Sequence, residues 1–468
     1  MKRSPLIKRG PRATAPGIAK DRRETPSREK IDTLFSSIGQ KLREGLSSEA
    51  ERIVVEAIAA YSYTDDDLAS LKRLHSFTLE TVGRYKESLE AIRPYQDREN
   101  LDRLSREIRI RVMTQLAIAY NNLGDHPKAV TLLKETLETA KAEELTHLNG
   151  QIHIGLARVY RKLNESSICR DHANAALEPL RAAGDWLGLA EAYREIAISY
   201  HQEGNSEEAL QYFDLGIKII GDRSAPFMLG KLYTDMSGAY SFLRRPQDGI
   251  ECLEKSITFF DQTEHVLNSV IAYNNLGIHL MHVGEWHRAE ERIKRALDLA
   301  IESNHAHIAG ILDSLGEMKI LRGDLNEARS LLTHAVSAAR EHKREWYEAQ
   351  ALRNLARCLL AEGEFEKAAA TARETIELSG RIGDKHYAKM AGLVLAEAML
   401  RLDRPAEFEN AIAMVEASDP ESDFFVFGNI QRIRGLAAAG AGDVEMAVHH
   451  FNRSLTIFET ANDTYHIA

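Results

Sequence analysis

Cysteine is scarce in this chain of 468 residues. Cys169, Cys252 and Cys358 are the only three, and they lie far apart. That spacing supports neither a disulfide framework nor a metal-binding knuckle, and it suits a reducing compartment. No apolar run approaches the ~18 residues that a membrane-spanning helix needs, so no membrane insertion is expected. The basic N-terminus lacks the run of about 7–15 apolar residues that marks a secretory signal, and the expected location is the cytoplasm. Glycine-rich phosphate loops of the Walker or Rossmann type are missing, as is any Gly-x-Ser-x-Gly elbow. The expectation is a protein that is not an enzyme and needs no cofactor.

Charge is present but uneven. The net charge is −10. Residues 1–30 hold ten Lys/Arg against three Asp/Glu, together with Pro5, Pro11, Pro16 and Pro26. This composition predicts a disordered basic arm over 1–30. The remainder is strongly acidic, which argues against nucleic acid wrapping along the body. Only the arm, through Lys8, Arg9, Arg22 and Arg23, is suited to contact nucleic acid or an anionic surface.

A periodic turn slot organises the rest. Gly45, Gly83, Gly124, Asn164, Gly204, Arg244, Gly284, Gly323, Gly363, Asp403 and Gly442 follow one another at intervals of 38 to 41 residues. Glycine and asparagine tolerate the positive φ needed where a helix ends and the chain reverses. Before each slot, apolar and small residues share one helical stripe, as in Leu276, Gly277 and Leu280. After it, a second stripe follows, as in Ala289, Ile293 and Ala296. Pro127, Pro246 and Pro405 stand just past the slot, where a first-turn proline starts a helix without losing a needed donor. The pattern predicts helix–turn–helix units stacked along one axis.

These residues resemble the tetratricopeptide repeat, whose grammar places a small residue after Leu, then Tyr, Gly, Ala and an aromatic at the same offsets. Units such as Leu116, Ala117, Tyr120, Gly124, Ala129 and Leu133, or Ile196, Ala197, Tyr200, Gly204, Ala209 and Phe213, carry the likeness. The period is about 40 residues rather than the family's usual ~34. This long variant is similar to the arrays of bacterial transcription regulators, peptide-pheromone receptors and cell-polarity adaptors. The resemblance implies an all-α, right-handed superhelical solenoid of about eleven units. Residues 31–100 are expected to hold divergent units, since Ser37 and His75 replace the expected Leu. Residues 101–460 are expected to form the regular array, and 461–468 to open a further helix of a truncated twelfth unit.

In this family the first helix of each unit lines the concave surface. The resemblance then implies a groove formed by Arg158, Arg161, Glu191, Arg194, Glu195, Asp235, Asn274, Asn275, Asp313, Glu317, Gln350, Arg353, Asn354 and Arg357. Asparagine can pair donor and acceptor with a peptide backbone, and arginine can clamp a carboxylate through two parallel bonds. Arg353, Asn354 and Arg357 resemble part of a carboxylate clamp. Arg194 beside Glu191 and Glu195 fits equally a self-neutralised face. The histidines His279, His282, His287, His305, His307, His449 and His450 form no spacing that carries a metal site. Tyr120, Tyr160, Tyr200 and Tyr240 share one slot between helices and read as packing. The expected function is a non-enzymatic scaffold or sensory region of a bacterial signalling or transcription-regulatory protein. Its partner would be a protein or peptide, and an effector domain would lie beyond residue 468. The alternatives are a self-contained peptide receptor and a self-associating structural adaptor.

Overall fold

The computed structural model describes residues 24–303, 307–417 and 423–460, and the regular structure among them is entirely helical. The basic arm therefore lies outside the described residues as far as residue 23, and so do residues 461–468. The first helix, α1 (Arg28–Glu44), opens inside the end of the expected arm. Its start is fixed by the Ser27 hydroxyl, which accepts a hydrogen bond from the Lys30 amide at 3.3 Å.

Among the described residues there are twenty-three α-helices, and all but the short fifth fall in successive antiparallel pairs, forming a right-handed superhelical solenoid. All eleven turn slots take positive φ, from 55° at Arg244 and Asp403 to 88° at Gly124. The closing geometry is shared as well. At the Gly284 turn, the Gly284 amide donates to the Met281 carbonyl at 3.0 Å and the Glu285 amide to Leu280 at 2.9 Å. Two orphan carbonyls of the helix end are thereby satisfied.

Small residues set how closely the helices cross. A methyl group on Gly277 would lie 2.2 Å from Ile293 Cγ1 and 3.1 Å from the Ala289 carbonyl oxygen. Gly316 meets Leu332, and Gly435 meets Phe451, at the same sequence offset. A second series places Gly150 against Leu180, Gly230 against Phe260 and Gly428 against Phe458. One large side chain thus fills the space that each glycine leaves. The three cysteines are buried in this core. Burial pushes the Cys169 thiol up to about 12.

The second unit pairs α3 (Asp65–Thr81) with α4 (Tyr85–Ile92), which stops early. A 3-10 turn carrying Pro94 follows it, and α5 (Arg98–Asp102) has only five residues. From α6 (Arg106–Asn122) and α7 (His126–Ala142) onward the pairs are regular. The first helices of the later units are α8 (Asn149–Lys162), α10 (Trp186–Gln202), α12 (Pro226–Phe242), α14 (Val266–His282), α16 (Ile308–Leu321), α18 (Glu345–Ala361), α20 (Lys385–Arg401) and α22 (Phe424–Gly440). Each touches the next, making one continuous inner layer.

The winding also touches itself. The link between α13 (Pro246–Phe260) and α14 reaches back to the first two units. The Glu264 amide donates to the Gly45 carbonyl at 3.1 Å. The Ser48 amide, at the start of α2 (Ser47–Ala60), donates to a Glu264 carboxylate oxygen at 2.6 Å. That helix has no side-chain cap of its own, so Glu264 caps it from 216 residues away. His265 Nδ1 lies 3.0 Å from the Thr81 carbonyl oxygen, and its ring stacks 3.8 Å from that of Phe227. Further on, the Arg244 guanidinium lies 4.6 Å from the centre of the Phe424 ring, joining the α12 turn to α22.

Candidate ligand-binding groove

The inner layer carries most of the buried charge. Its first stretch is a ladder of ion pairs that crosses from helix to helix. Glu80 of α3 accepts from Arg158 Nη2 at 2.8 Å and from Gln115 at 3.0 Å. Arg161 reaches Glu195 at 2.7 Å. Arg194 pairs with Asp235 at 2.5 Å, Glu191 at 3.3 Å and Glu195 at 3.5 Å. Lys231 reaches Glu191 at 3.0 Å. Burial alone would raise the Glu191 carboxyl, but Lys231, Arg194 and Arg158 more than offset it and hold the group well below its ordinary range. Four carboxylates meet four cations here, so this part of the groove neutralises itself.

The sequence places Arg158, Arg161, Glu191, Arg194, Glu195 and Asp235 on the groove wall. The structure brings them together but turns them toward one another. Glu195 is fully buried, and Glu191 and Arg194 nearly so. Sequence reasoning missed Glu80, which stands five residues after the Leu slot, as Arg161 does in its own unit. Its partner Arg158 lies 78 residues away.

The second stretch lies on α14, α16 and α18. Asn354, fully buried, donates from Nδ2 to Asp313 Oδ1 at 2.9 Å. Its amide is therefore not offered to a ligand, as the clamp resemblance would require. Arg357 donates to Glu317 at 2.7 Å and to Asn354 Oδ1 at 3.0 Å. Burial raises the Glu317 carboxyl, but Arg357 and Arg353 outweigh it and bring it down to about 2. Asp313 goes the other way: burial, only partly offset by Arg353, pushes its carboxyl up to about 6. Asp313 Oδ2, Asn274 Oδ1 and Arg353 Nε are buried without a hydrogen-bond partner. Asn275 and Gln350 are half-buried.

Beyond Arg353 the inner layer opens into a cleft of about 510 Å³ between α18, α20 and α22. Met390, Leu393 and Val394 of α20 line it, together with Phe365 and Phe425. Arg353, Arg357, Arg401 and Arg432 stand around it with Glu397. Arg432 reaches Glu397 at 2.7 Å and Arg401 reaches it at 3.7 Å. Met390, Leu393, Val394 and Glu397 of α20 and Arg432 of α22 occupy the groove slots of their units, so a signal for them was present, whereas Arg401 and Phe425 stand outside those slots. Three of the four α20 slots are apolar, which hides α20 from a search for polar residues, while Asn429 and Arg432 of α22 were passed over.

The other sequence candidates are placed as follows. His279 is buried against Gly249, and burial brings its imidazole down to about 4. Among the described residues no group of three or more His, Cys, Asp or Glu is placed to hold a metal. His305 lies outside the described residues. The Tyr200 ring stacks 5.4 Å from Tyr212 and lies 4.5 Å from the Arg170 guanidinium. No helix among the described residues is long and apolar enough to cross a membrane.

Comparisons with known proteins agree with this architecture. One tetratricopeptide repeat profile matches residues 268–341 and 307–381, and another matches 109–143. The response regulator aspartate phosphatase E of Bacillus subtilis (strain 168) is 28% identical over 112 residues. That match spans 23% of this chain and 30% of the relative, so the chain aligns with under a third of that protein's length. Among solved structures, a Rap protein complexed with competence and sporulation factor superposes with a TM-score of 0.56 at 14% identity, covering 75% of this chain and 98% of that one. The Rap conjugation gene regulator of plasmid pLS20, in complex with the Phr* peptide, gives 0.52 at 15% identity, covering 75% and 96%. The apo quorum sensor NprR from B. thuringiensis gives 0.50 at 16% identity, covering 83% and 98%. Identities this low establish the shared fold.

Proposed function

We propose that the chain, whose residues 109–143 and 268–381 match tetratricopeptide repeat profiles, is a non-enzymatic scaffold that binds a peptide or protein segment on its inner layer, within a bacterial signalling or regulatory system. The observation that carries the reading is the cleft between α18, α20 and α22. It joins an apolar surface to several arginines, beyond the second stretch of the inner layer. Its volume falls in the range of roughly 300–1,000 Å³ typical of ligand pockets. Two of the structurally similar proteins were solved with a peptide or signalling factor bound, which supports the same use of the fold here.

The working residues are then Arg353, Arg357, Arg401 and Arg432, with Leu393 and Val394. The expected groove residues of the ladder, Arg158, Arg161, Glu191, Arg194, Glu195 and Asp235, hold neighbouring units in register. Asn274, Asn275, Asp313, Glu317, Gln350 and Asn354 form the approach. A ligand that prefers one superhelical pitch would shift the array toward it, because a solenoid flexes slightly at every joint.

The test is affinity capture from native lysate with the full chain, beside Arg353→Ala/Arg401→Ala and Val394→Glu variants of matched thermal stability. A partner retained by the parent and lost by both variants is expected. Identical capture by all three would overturn the reading.

A further inference from the structure

The charges on the walls of the cleft do not cancel, and their imbalance identifies a ligand chemistry. This step rests on the groove reading above. On one wall, Arg357 is matched by Glu317 at 2.7 Å. Its neighbour Arg353 forms no ion pair within 4.0 Å among the described residues, and its Nε is buried without a partner. On α20 and α22, Arg401 and Arg432 share the single carboxylate of Glu397. One side is left with a guanidinium that no carboxylate reaches within ion-pair distance, although Asp313 behind it partly offsets its charge, and the other with one guanidinium in excess.

The surface between the two sides is apolar, made by Met390, Leu393 and Val394. An unmatched guanidinium beside apolar surface favours a carboxylate, which accepts two parallel hydrogen bonds from it. Neighbouring packed helices stand about 8–10 Å apart, so α18 and α22 lie two such steps from each other. Those two steps amount to about 16–20 Å, and four extended residues at ~3.3–3.6 Å each, about 13–14 Å in all, fit within them.

We infer that the cleft binds a short extended peptide segment with an apolar centre and a carboxylate at each end, read by Arg353 on one side and by the Arg401–Arg432 pair on the other. Asp313 modulates this from behind Arg353. It is 1% exposed, Asn354 bonds one of its oxygens, and the other is free. Protonation near pH 6 removes its partial compensation of Arg353.

The test is isothermal titration of the full chain at pH 7.5 with three acetylated, amidated tetrapeptides: Glu-Leu-Leu-Glu, Gln-Leu-Leu-Gln and Lys-Leu-Leu-Lys. The acidic peptide is expected to bind at least tenfold more tightly than the glutamine peptide, with the lysine peptide weaker still. Arg353→Gln should lower the affinity for the acidic peptide about tenfold and leave that for the glutamine peptide unchanged. The half-exposed Arg401→Gln should act the same way, so a folding defect at one site cannot mimic the result. Glu397→Gln should tighten the acidic peptide. Equal binding of the three peptides, or no binding of the acidic one to the parent chain, overturns the inference. If the captured partner is lost from the cleft variants while the acidic peptide fails to bind, the groove reading stands and this ligand chemistry falls. If capture is unaffected by the variants, the groove reading itself falls.

Discussion

Replacing Asp403 by glycine should make this protein more stable, and replacing Arg244 should not, although both residues fill the same slot. Each holds a φ of 55°, a conformation that an L side chain adopts only under strain. The left-handed region costs such a residue about 1–2 kcal/mol, toward the low end for aspartate. Glycine removes that cost but adds about 0.4–1 kcal/mol of unfolded-state entropy. Asp403 is exposed, so Asp403→Gly should gain about 0.5 kcal/mol. Arg244 also places its guanidinium 4.6 Å from the Phe424 ring. Arg244 is half-buried, and losing that contact costs at least about 0.5–1 kcal/mol, which cancels the gain. The assay is urea unfolding followed by far-ultraviolet circular dichroism, comparing midpoints at unchanged slope. In a Phe424→Leu background the benefit of Arg244→Gly should reappear. A destabilised Asp403→Gly, or an Arg244→Gly that gains equally with and without Phe424, would refute the reasoning.

Three further outcomes are expected. Gly277→Ala should cost about 1–3 kcal/mol of overpacking against Ile293; urea unfolding of this variant and of Gly277→Ala/Ile293→Val should show partial recovery in the pair, and equal losses would argue against the close contact. Glu264→Ala should remove about 1 kcal/mol from the start of α2 and speed amide exchange over Ser47–Ala60, while unchanged protection there would contradict the long-range cap. Asp313, with its carboxyl raised to about 6 from 3.8, favours the folded state when protonated, and that contribution is lost as pH rises from about 4 to 6. Asp313→Asn should therefore gain on the parent between pH 4.5 and pH 7 by on the order of 2 kcal/mol, whereas a parallel pH dependence of the two proteins in urea unfolding would exclude this assignment.

The turn slots show what a sequence of this kind reveals. Gly284 or Gly363 declares itself by residue type, and Arg244 and Asp403 by spacing alone, yet all share one backbone conformation. Local periodicity also exposes Gly277 and Ile293, because both ends of that contact belong to a single unit. The groove is different. Whether Asn354 faces a ligand or Asp313 depends on a residue 41 positions away, and whether Arg158 is free depends on Glu80. Helical periodicity assigns a face to a residue but does not say which neighbour meets it. The α20 lining was legible by slot, but Met390, Leu393 and Val394 look like ordinary core when only polar residues are taken as signs of a site. The bond between Ser48 and Glu264 has no local signature at all.

That last bond bears on how such a chain can change over time. Repeat arrays ordinarily gain and lose whole units by duplication or deletion, because each unit answers only to its neighbours. Here Glu264 and His265 must arrive beside Ser48 and Thr81 after a fixed amount of winding. Adding or removing one unit between Gly45 and Glu264 would carry the link past its seat and leave α2 uncapped. The number of units in this part of the coil is thus locked, as the number of threads is locked in a nut that must stop flush. Later units are held as well: Arg344, just before α18, lies close enough to act on the Tyr85 hydroxyl of the second unit, and Arg244 meets Phe424 of α22.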